Sequence, residues 1–155
     1  MLPIDPLNQV AEFHRTFKHP IVDKPAIPSE QRSKLRVSLL AEELKELEEA
    51  IKQNDIVAVA DALCDLQYVL SGAVLEFGLG EKFKDLFDEV QRSNMSKTCK
   101  NEQEAKDTVA HYNVKGVECY YQQSGNHFLV YRTEDNKTLK SVNYSEADLK
   151  RIVEK

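Results

Sequence analysis

The stretch IVAVADALCDLQYVLSGAVL, residues 56–75, decides how this chain folds. It is apolar at nearly every position and holds no proline, so it predicts a long helix, apolar almost all round, of the kind buried in a core. Asp61 and Asp65 interrupt it one helical turn apart, and their carboxylates point the same way. In a core that is costly. Each buried ion costs several kcal/mol, and two like charges about 6 Å apart add roughly 3 kcal/mol at an effective dielectric near 20. The length would also suit a bilayer, but two aspartates near the centre of a span would cost about 5 kcal/mol or more. The expectation is a buried helix of a water-soluble bundle.

The segment just before it adds acid instead of a compensating cation. Ala41-Glu42-Glu43-Leu44-Lys45-Glu46 lies on a helix predicted from a Ser29 cap to about Gln53, with Asn54-Asp55 as the break between the two. Along this helix Val37, Leu40, Leu44, Leu47 and Ile51 form one apolar stripe, while Leu35, Leu39 and Ala50 cluster around Glu42, Glu43 and Glu46. The short connection predicts an antiparallel pair in which the aspartates meet the glutamate face. Five carboxylates there suggest a divalent metal site. Oxygen ligands without Cys or His favour Mg²⁺, or Mn²⁺ in its place, and a ferritin-like di-iron centre would need Glu-x-x-His pairs that the sequence lacks. Two plainer readings compete: Asp61 paired with an arginine such as Arg36, or Asp65 accepting from a tyrosine hydroxyl.

Outward from this pair, Asp5 and Pro6 open a first helix to about Lys18, and Pro20, Pro25 and Pro28 enforce an extended loop. Gly78-Leu79-Gly80 ends the aspartate helix. An amphipathic helix from Glu81 to about Arg92 is expected to bury Phe83, Leu86, Phe87 and Val90. Asn101 with Glu104 marks the start of a short helix to about His111. Residues 114–122 and 127–132, rich in Val, Tyr and Phe, predict a hairpin about Ser124-Gly125-Asn126. Residues 137–142 are expected to add a third strand, and Ser145 to cap a last helix. The chain thus reads as mainly α: an antiparallel helical bundle over residues 1–112 and a small β-rich tail over 113–155.

Composition narrows the function. The chain has 155 residues, 30% of them charged, with a formal charge of −5. That balance disfavours nucleic acid and anionic lipid as partners, and no basic stripe with interleaved aromatics is present. The N-terminus lacks a basic start and an apolar run, and Cys64, Cys99 and Cys119 share no metal-ligand spacing. A reducing, cytoplasmic setting follows as the expectation, with Cys64 a small core residue.

Glu42-Glu43-x-x-Glu46 followed by Asp61-Ala-Leu-Cys-Asp65-Leu-Gln-Tyr resembles the MazG-like, all-α nucleoside triphosphate pyrophosphohydrolase superfamily, which includes phosphoribosyl-ATP pyrophosphohydrolase. Glu89-Val-Gln-Arg-Ser-Asn-Met-Ser-Lys97 and Glu12-Phe-His strengthen the match, which covers roughly residues 8–100. One departure stands out. The superfamily's second acidic motif is Glu-x-x-Asp, and here Ala62 or Ala58 occupies the glutamate position, depending on whether Asp65 or Asp61 closes the motif.

The resemblance implies Mg²⁺-dependent hydrolysis of a nucleoside triphosphate between the α and β phosphorus, giving a monophosphate and pyrophosphate. It implies metal ligation by Glu42, Glu46, Asp61 and Asp65, with Glu43 as general base. Arg92, Asn94 and Lys97 become candidates for phosphate oxygens, against the plainer reading of a solvated helix end. Phe13, His14 and Phe17 become candidates for a base pocket, against the reading of ordinary core aromatics. Superfamily members assemble as dimers or tetramers, and an aspartate helix apolar on every side gives a sequence reason to expect a homo-oligomer here. The missing glutamate keeps a second reading open, a non-catalytic nucleotide-binding or oligomerisation module.

Overall fold

The computed structural model describes residues 4–155 and is mainly helical, with one two-stranded antiparallel sheet near the C-terminus. The chain divides into two compact units, residues 1–83 and 84–155. In the first, α1 spans Pro6–Phe17, α2 Glu30–Lys52 and α3 Ile56–Glu76. The caps are those the residues predict. Asp5 accepts from the Asn8 amide, Ser29 from Arg32, and Asp55 from Val57 and Ala58. Asn54 takes a left-handed conformation (φ 54°) at the turn between α2 and α3.

α3 packs against both α1 and α2. The small core consists of Val10, Ala11 and Leu75 with Ile21 against them. The proline loop wraps the end of α3, where Val22 donates to the Leu75 carbonyl at 3.0 Å and Ala26 to Phe77 at 3.1 Å. Gly78 closes the helix at φ 68°, and a Cβ there would overlap the Lys24 carbonyl. Gly78→Ala is therefore expected to destabilise the chain by about 2 kcal/mol or more, read as a lowered urea midpoint with an unchanged m-value.

A buried ionic network ties the three helices together. Glu76, 1% exposed, accepts from Arg32 Nε at 3.1 Å and also from Arg32 Nη2 and Arg36 Nη2. Burial alone would push its carboxyl up, but the two guanidiniums more than offset that and hold it below the usual carboxylate range. Gly72 allows this approach, because a Cβ there would lie 2.6 Å from Arg36 Nη1.

The expected burial of α3 does not occur within one chain. Ile56, Val57, Leu63, Tyr68 and Leu70 are exposed, and only 17% of its most apolar stretch is buried. By length and composition alone α3 could cross a membrane. Cys64, expected in the core, is exposed. The stripe on α2 is likewise turned out at Val37, Leu44 and Ile51, while Arg36 and Ala50 are its buried residues. α2 thus turns inward the face that carries Arg36, Leu40, Glu43, Leu47 and Ala50, while Glu42 and Glu46 are exposed.

In the second unit, α4 (Phe83–Met95) follows a 3₁₀ turn, α5 spans Glu102–Val114, and β1 (Cys119–Ser124) pairs antiparallel with β2 (His127–Arg132). Leu86 is buried on α4, whereas Phe87 and Val90, expected in the core, are 63% and 37% exposed. α5 packs on both strands around Cys99, Ala105, Val130 and Leu139. It therefore belongs with the hairpin, and the compact unit begins well before residue 112, where helix gives way to strand. The third strand is reduced to a bridge between Tyr131 and Thr138. The last helix, α6 (Leu149–Val153), is capped by Asp148. Ser145 instead bonds Ser96 and Arg92.

Candidate active site

Glu43 stands eleven residues before Asn54 and Asp65 eleven after it, so an antiparallel pair turning at Asn54 brings them level; Glu46 and Asp61 follow one turn nearer the loop. The electrostatics agree. The Glu43 carboxyl is pushed above its usual range, first by partial burial and then by the fields of Glu46, Asp65, Glu42 and Asp61. All five carboxylates therefore share one neighbourhood.

Their surroundings differ from the expectation of charges hidden among apolar side chains. Glu42, Glu46, Asp61 and Asp65 are exposed and Glu43 is half-buried. Neither plainer pairing of the aspartates occurs. Arg36 is committed to Glu76, and among the described residues no arginine or tyrosine hydroxyl bonds Asp61 or Asp65. Lys45, the cation within the acidic segment, reaches towards Glu49 at 3.7 Å. Five carboxylates thus lie together without a cation among the described residues. No three of them converge closely enough to chelate an ion as they stand. Their chemistry suits a hard dication: all donors are carboxylate oxygens, and four sit on exposed side chains free to change rotamer. Of the two positions that the missing glutamate could occupy, Ala62 is 3% exposed and Ala58 half-buried.

One turn further along the same helices, beyond Glu43 and Asp65, lies a cavity of about 230 Å³ lined by Phe13, His14, His19, Arg36, Leu39 and Tyr68 among others. Phe13 stacks on His19 at 5.8 Å and meets Tyr68 edge-on at 5.6 Å. Of the expected base-pocket residues, Phe13 and His14 line the cavity, whereas Phe17 packs on Phe13 at 4.4 Å. His14 is 2% exposed and both ring nitrogens are engaged. Nδ1 lies 2.8 Å from the Pro20 carbonyl, which fixes the proton there, and Nε2 accepts from Arg36 at 3.2 Å. Burial pushes its pKa down, so the ring is neutral.

His14 and His19, five apart and without zinc spacing, read in the sequence as surface or pocket-edge residues, and Tyr68 was not assigned to their pocket. Tyr68 follows Asp65 by three residues, a spacing that would have placed it on the aspartate face. The Glu76 network was equally hidden, since its members are up to 44 residues apart.

The remaining candidates belong to the second unit. Arg92 grips Glu89 through Nε and Nη2, both at 2.8 Å, and donates to Ser145 Oγ at 3.0 Å and the Glu146 carbonyl at 2.8 Å. With these bonds and one from the Asp148 amide, Glu89 is held down at about 2. Asn94 Oδ1 accepts from Lys97 Nζ at 2.8 Å. Arg92 thus fastens the C-terminal segment to α4, while Asn94 and Lys97 hold each other at its end.

Comparison with known proteins agrees with this arrangement. An uncharacterized protein of Acanthamoeba polyphaga mimivirus is 25% identical over an alignment covering 85% of this chain and 89% of that protein. A family model described as phosphoribosyl-ATP pyrophosphohydrolase matches residues 10–94, which include α2, α3 and all five carboxylates. That match spans more than half of the sequence, and the chain belongs to the phosphoribosyl-ATP pyrophosphohydrolase family of the MazG-like all-α superfamily.

Proposed function

We propose that the protein hydrolyses a nucleoside triphosphate, or a related nucleotide, between the α and β phosphorus to a monophosphate and pyrophosphate. Family membership supports a nucleotide pyrophosphohydrolase. The observation that carries the finer reading is Glu43, half-buried among four other carboxylates beside an aromatic cavity. Glu42, Glu46, Asp61 and Asp65 would hold Mg²⁺, or Mn²⁺ in its place, which when bound supplies charge neutralisation for the polyphosphate and polarises water. Glu43 takes the proton of the attacking water; its raised affinity for protons suits a general base. Phe13 and Tyr68 form an aromatic wall against which the base packs, with neutral His14 behind them. The assignment of Lys97 and Asn94 to phosphate oxygens rests on the family resemblance alone. Arg92 could join them only by releasing the C-terminal segment.

Assembly completes the proposal. The exposed apolar residues of α2 and α3, among them Val37, Leu44, Ile51, Ile56, Val57 and Leu63, are covered by further copies in a homodimer or homotetramer. A cytoplasmic location accords with three unpaired cysteines, and no nucleic acid or membrane partner is invoked.

A substrate panel with Mg²⁺, resolved by chromatography, tests the chemistry. Monophosphate plus pyrophosphate is expected, with turnover lost on chelation and restored by Mg²⁺ or Mn²⁺. Diphosphate plus phosphate would refute the reaction. Nucleotide binding without turnover would favour the non-catalytic module, the reading that the missing glutamate, at Ala62 or Ala58, keeps open.

A further inference from the structure

β1 is an open sheet edge. The hairpin register runs from Cys119 opposite Arg132 to Ser124 opposite His127. Across a two-residue loop the flanking pair exchanges both backbone bonds, so Ser124, Gln122 and Tyr120 face β2, and the bond from the Thr133 amide to the Glu118 carbonyl continues the alternation. Cys119, Tyr121 and Gln123 therefore turn their backbone groups away from β2. Among the described residues none of these three amides or three carbonyls has a partner.

The far side of β2 is treated differently. Phe128 exchanges bonds with Cys99 at 2.8 and 2.9 Å, the Val130 carbonyl accepts from Leu139, and Arg132 bonds Lys137 and Asn136. Only the β1 side is left open. Exposed edges in folded proteins are usually blunted by lysine, proline, a bulge or inward charge. Cys-Tyr-Tyr-Gln-Gln-Ser has none of these, in a chain that is 30% charged.

We propose that β1 pairs antiparallel with β1 of a second copy of this chain, joining two hairpins into a four-stranded sheet. The three open residues are centred on Tyr121, so a two-fold axis there satisfies all of them at once: Cys119 with the partner's Gln123, Tyr121 with the partner's Tyr121, and Gln123 with the partner's Cys119. Tyr120 then faces the partner's Gln122, and Glu118 falls opposite the partner's Ser124. No like charges meet, although each chain carries −5. This contact is separate from the helical face and independent of the reading of the carboxylates.

Two variants of the full chain test it. Tyr120 and the partner's Gln122 form a closely spaced pair without ladder bonds, with Cα atoms about 4.5 Å apart, within reach of a disulfide. In a Cys64→Ser background, Tyr120→Cys combined with Gln122→Cys is expected to give a dimer on non-reducing gels after mild oxidation, and Tyr120→Cys alone is not. Gln123→Pro deletes an outward amide while sparing the ladder to β2. It is expected to weaken association at least about ten-fold in sedimentation velocity, and the helical face is untouched. The proposal fails if the double-cysteine variant cross-links no more than the single one. It also fails if the parent chain is monomeric at micromolar concentration, or if Gln123→Pro keeps the parent's mass with an unchanged circular dichroism spectrum.

Discussion

Asp65→Asn is expected to lower turnover by at least about a hundred-fold while leaving the thermal midpoint within a few degrees of the parent. The change is nearly isosteric but removes the charge that lies level with Glu43 across the helix pair. An amide oxygen is a poorer ligand for a hard dication than a carboxylate, so Mn²⁺ affinity by calorimetry should fall together with the rate of pyrophosphate release. Asp65 is exposed and unpaired in the fold, so its loss should cost little stability. Near-normal turnover in Asp65→Asn would remove Asp65 from the metal site and shift the weight to Asp61. A comparable loss in Asp61→Asn would show that both aspartates, in place of the superfamily's glutamate and aspartate, share the work.

The largest effect on stability is expected from Glu76→Gln. The substitution keeps the shape and removes the negative charge that holds Arg32 and Arg36, leaving a guanidinium that is 92% buried without its counter-ion. Breaking a buried pair from one side costs about 3–5 kcal/mol, and for a unit of this size that lowers the melting temperature by at least about 12 °C. Arg32 is 30% exposed, so Arg32→Ala should cost less than half as much. The pH dependence follows from the directions of the shifts. His14 is held neutral, below its ordinary 6.5, so the unfolded chain binds the extra proton first and stability begins to fall as the pH drops below that value. Glu76 is held below its ordinary 4.5; its contribution is complete above that pH and is lost as the pH falls through the depressed value. Melting temperature against pH should therefore decline in two stages, and Glu76→Gln should shrink the lower one, to which Glu89 and Glu104, also held below their ordinary range, contribute as well. If Glu76→Gln melts with the parent, the network does not hold the bundle together.

Both predictions rest on residues that differ in how legible they were. Asp65 was readable from order and spacing, because a helix has a fixed period and an antiparallel hairpin pairs positions equidistant from its turn. Glu76 was not, because nothing local distinguishes a glutamate at the end of an apolar helix from a solvated one. Its role depends on arginines more than a turn apart on α2 and on a glycine, Gly72, that admits them. The same difference explains the errors of burial. Periodicity on α2 identifies two faces, but which one turns inward depends on partners distant along the chain: Arg36, bound to Glu76, lies inside with Glu43 and Ala50, and Val37, Leu44 and Ile51 lie outside. Phe87 and Val90 were assigned to a core for their helical spacing and Cys64 for its chemistry, and all three are exposed.

The C-terminal unit shows the same limits. Caps and turns were read correctly at Asn101 and at the hairpin because they involve neighbours a few residues apart. The third strand shrank to a bridge and the last cap moved to Asp148 because Ser145 is taken by Ser96 and Arg92, partners about fifty residues away in sequence.

The positions of the long helices, the caps at Asp5, Ser29 and Asn101, the order of the acidic residues and the family they indicate were determined by the sequence alone, since each depends on patterns that repeat over a few residues. Tertiary structure alone decided that the carboxylates stand in water and not in a core, that Glu76 binds two arginines, and that an aromatic cavity lies one turn from Glu43. Those outcomes depend on which faces of separate helices come together, and that choice is made by interactions between residues distant along the chain.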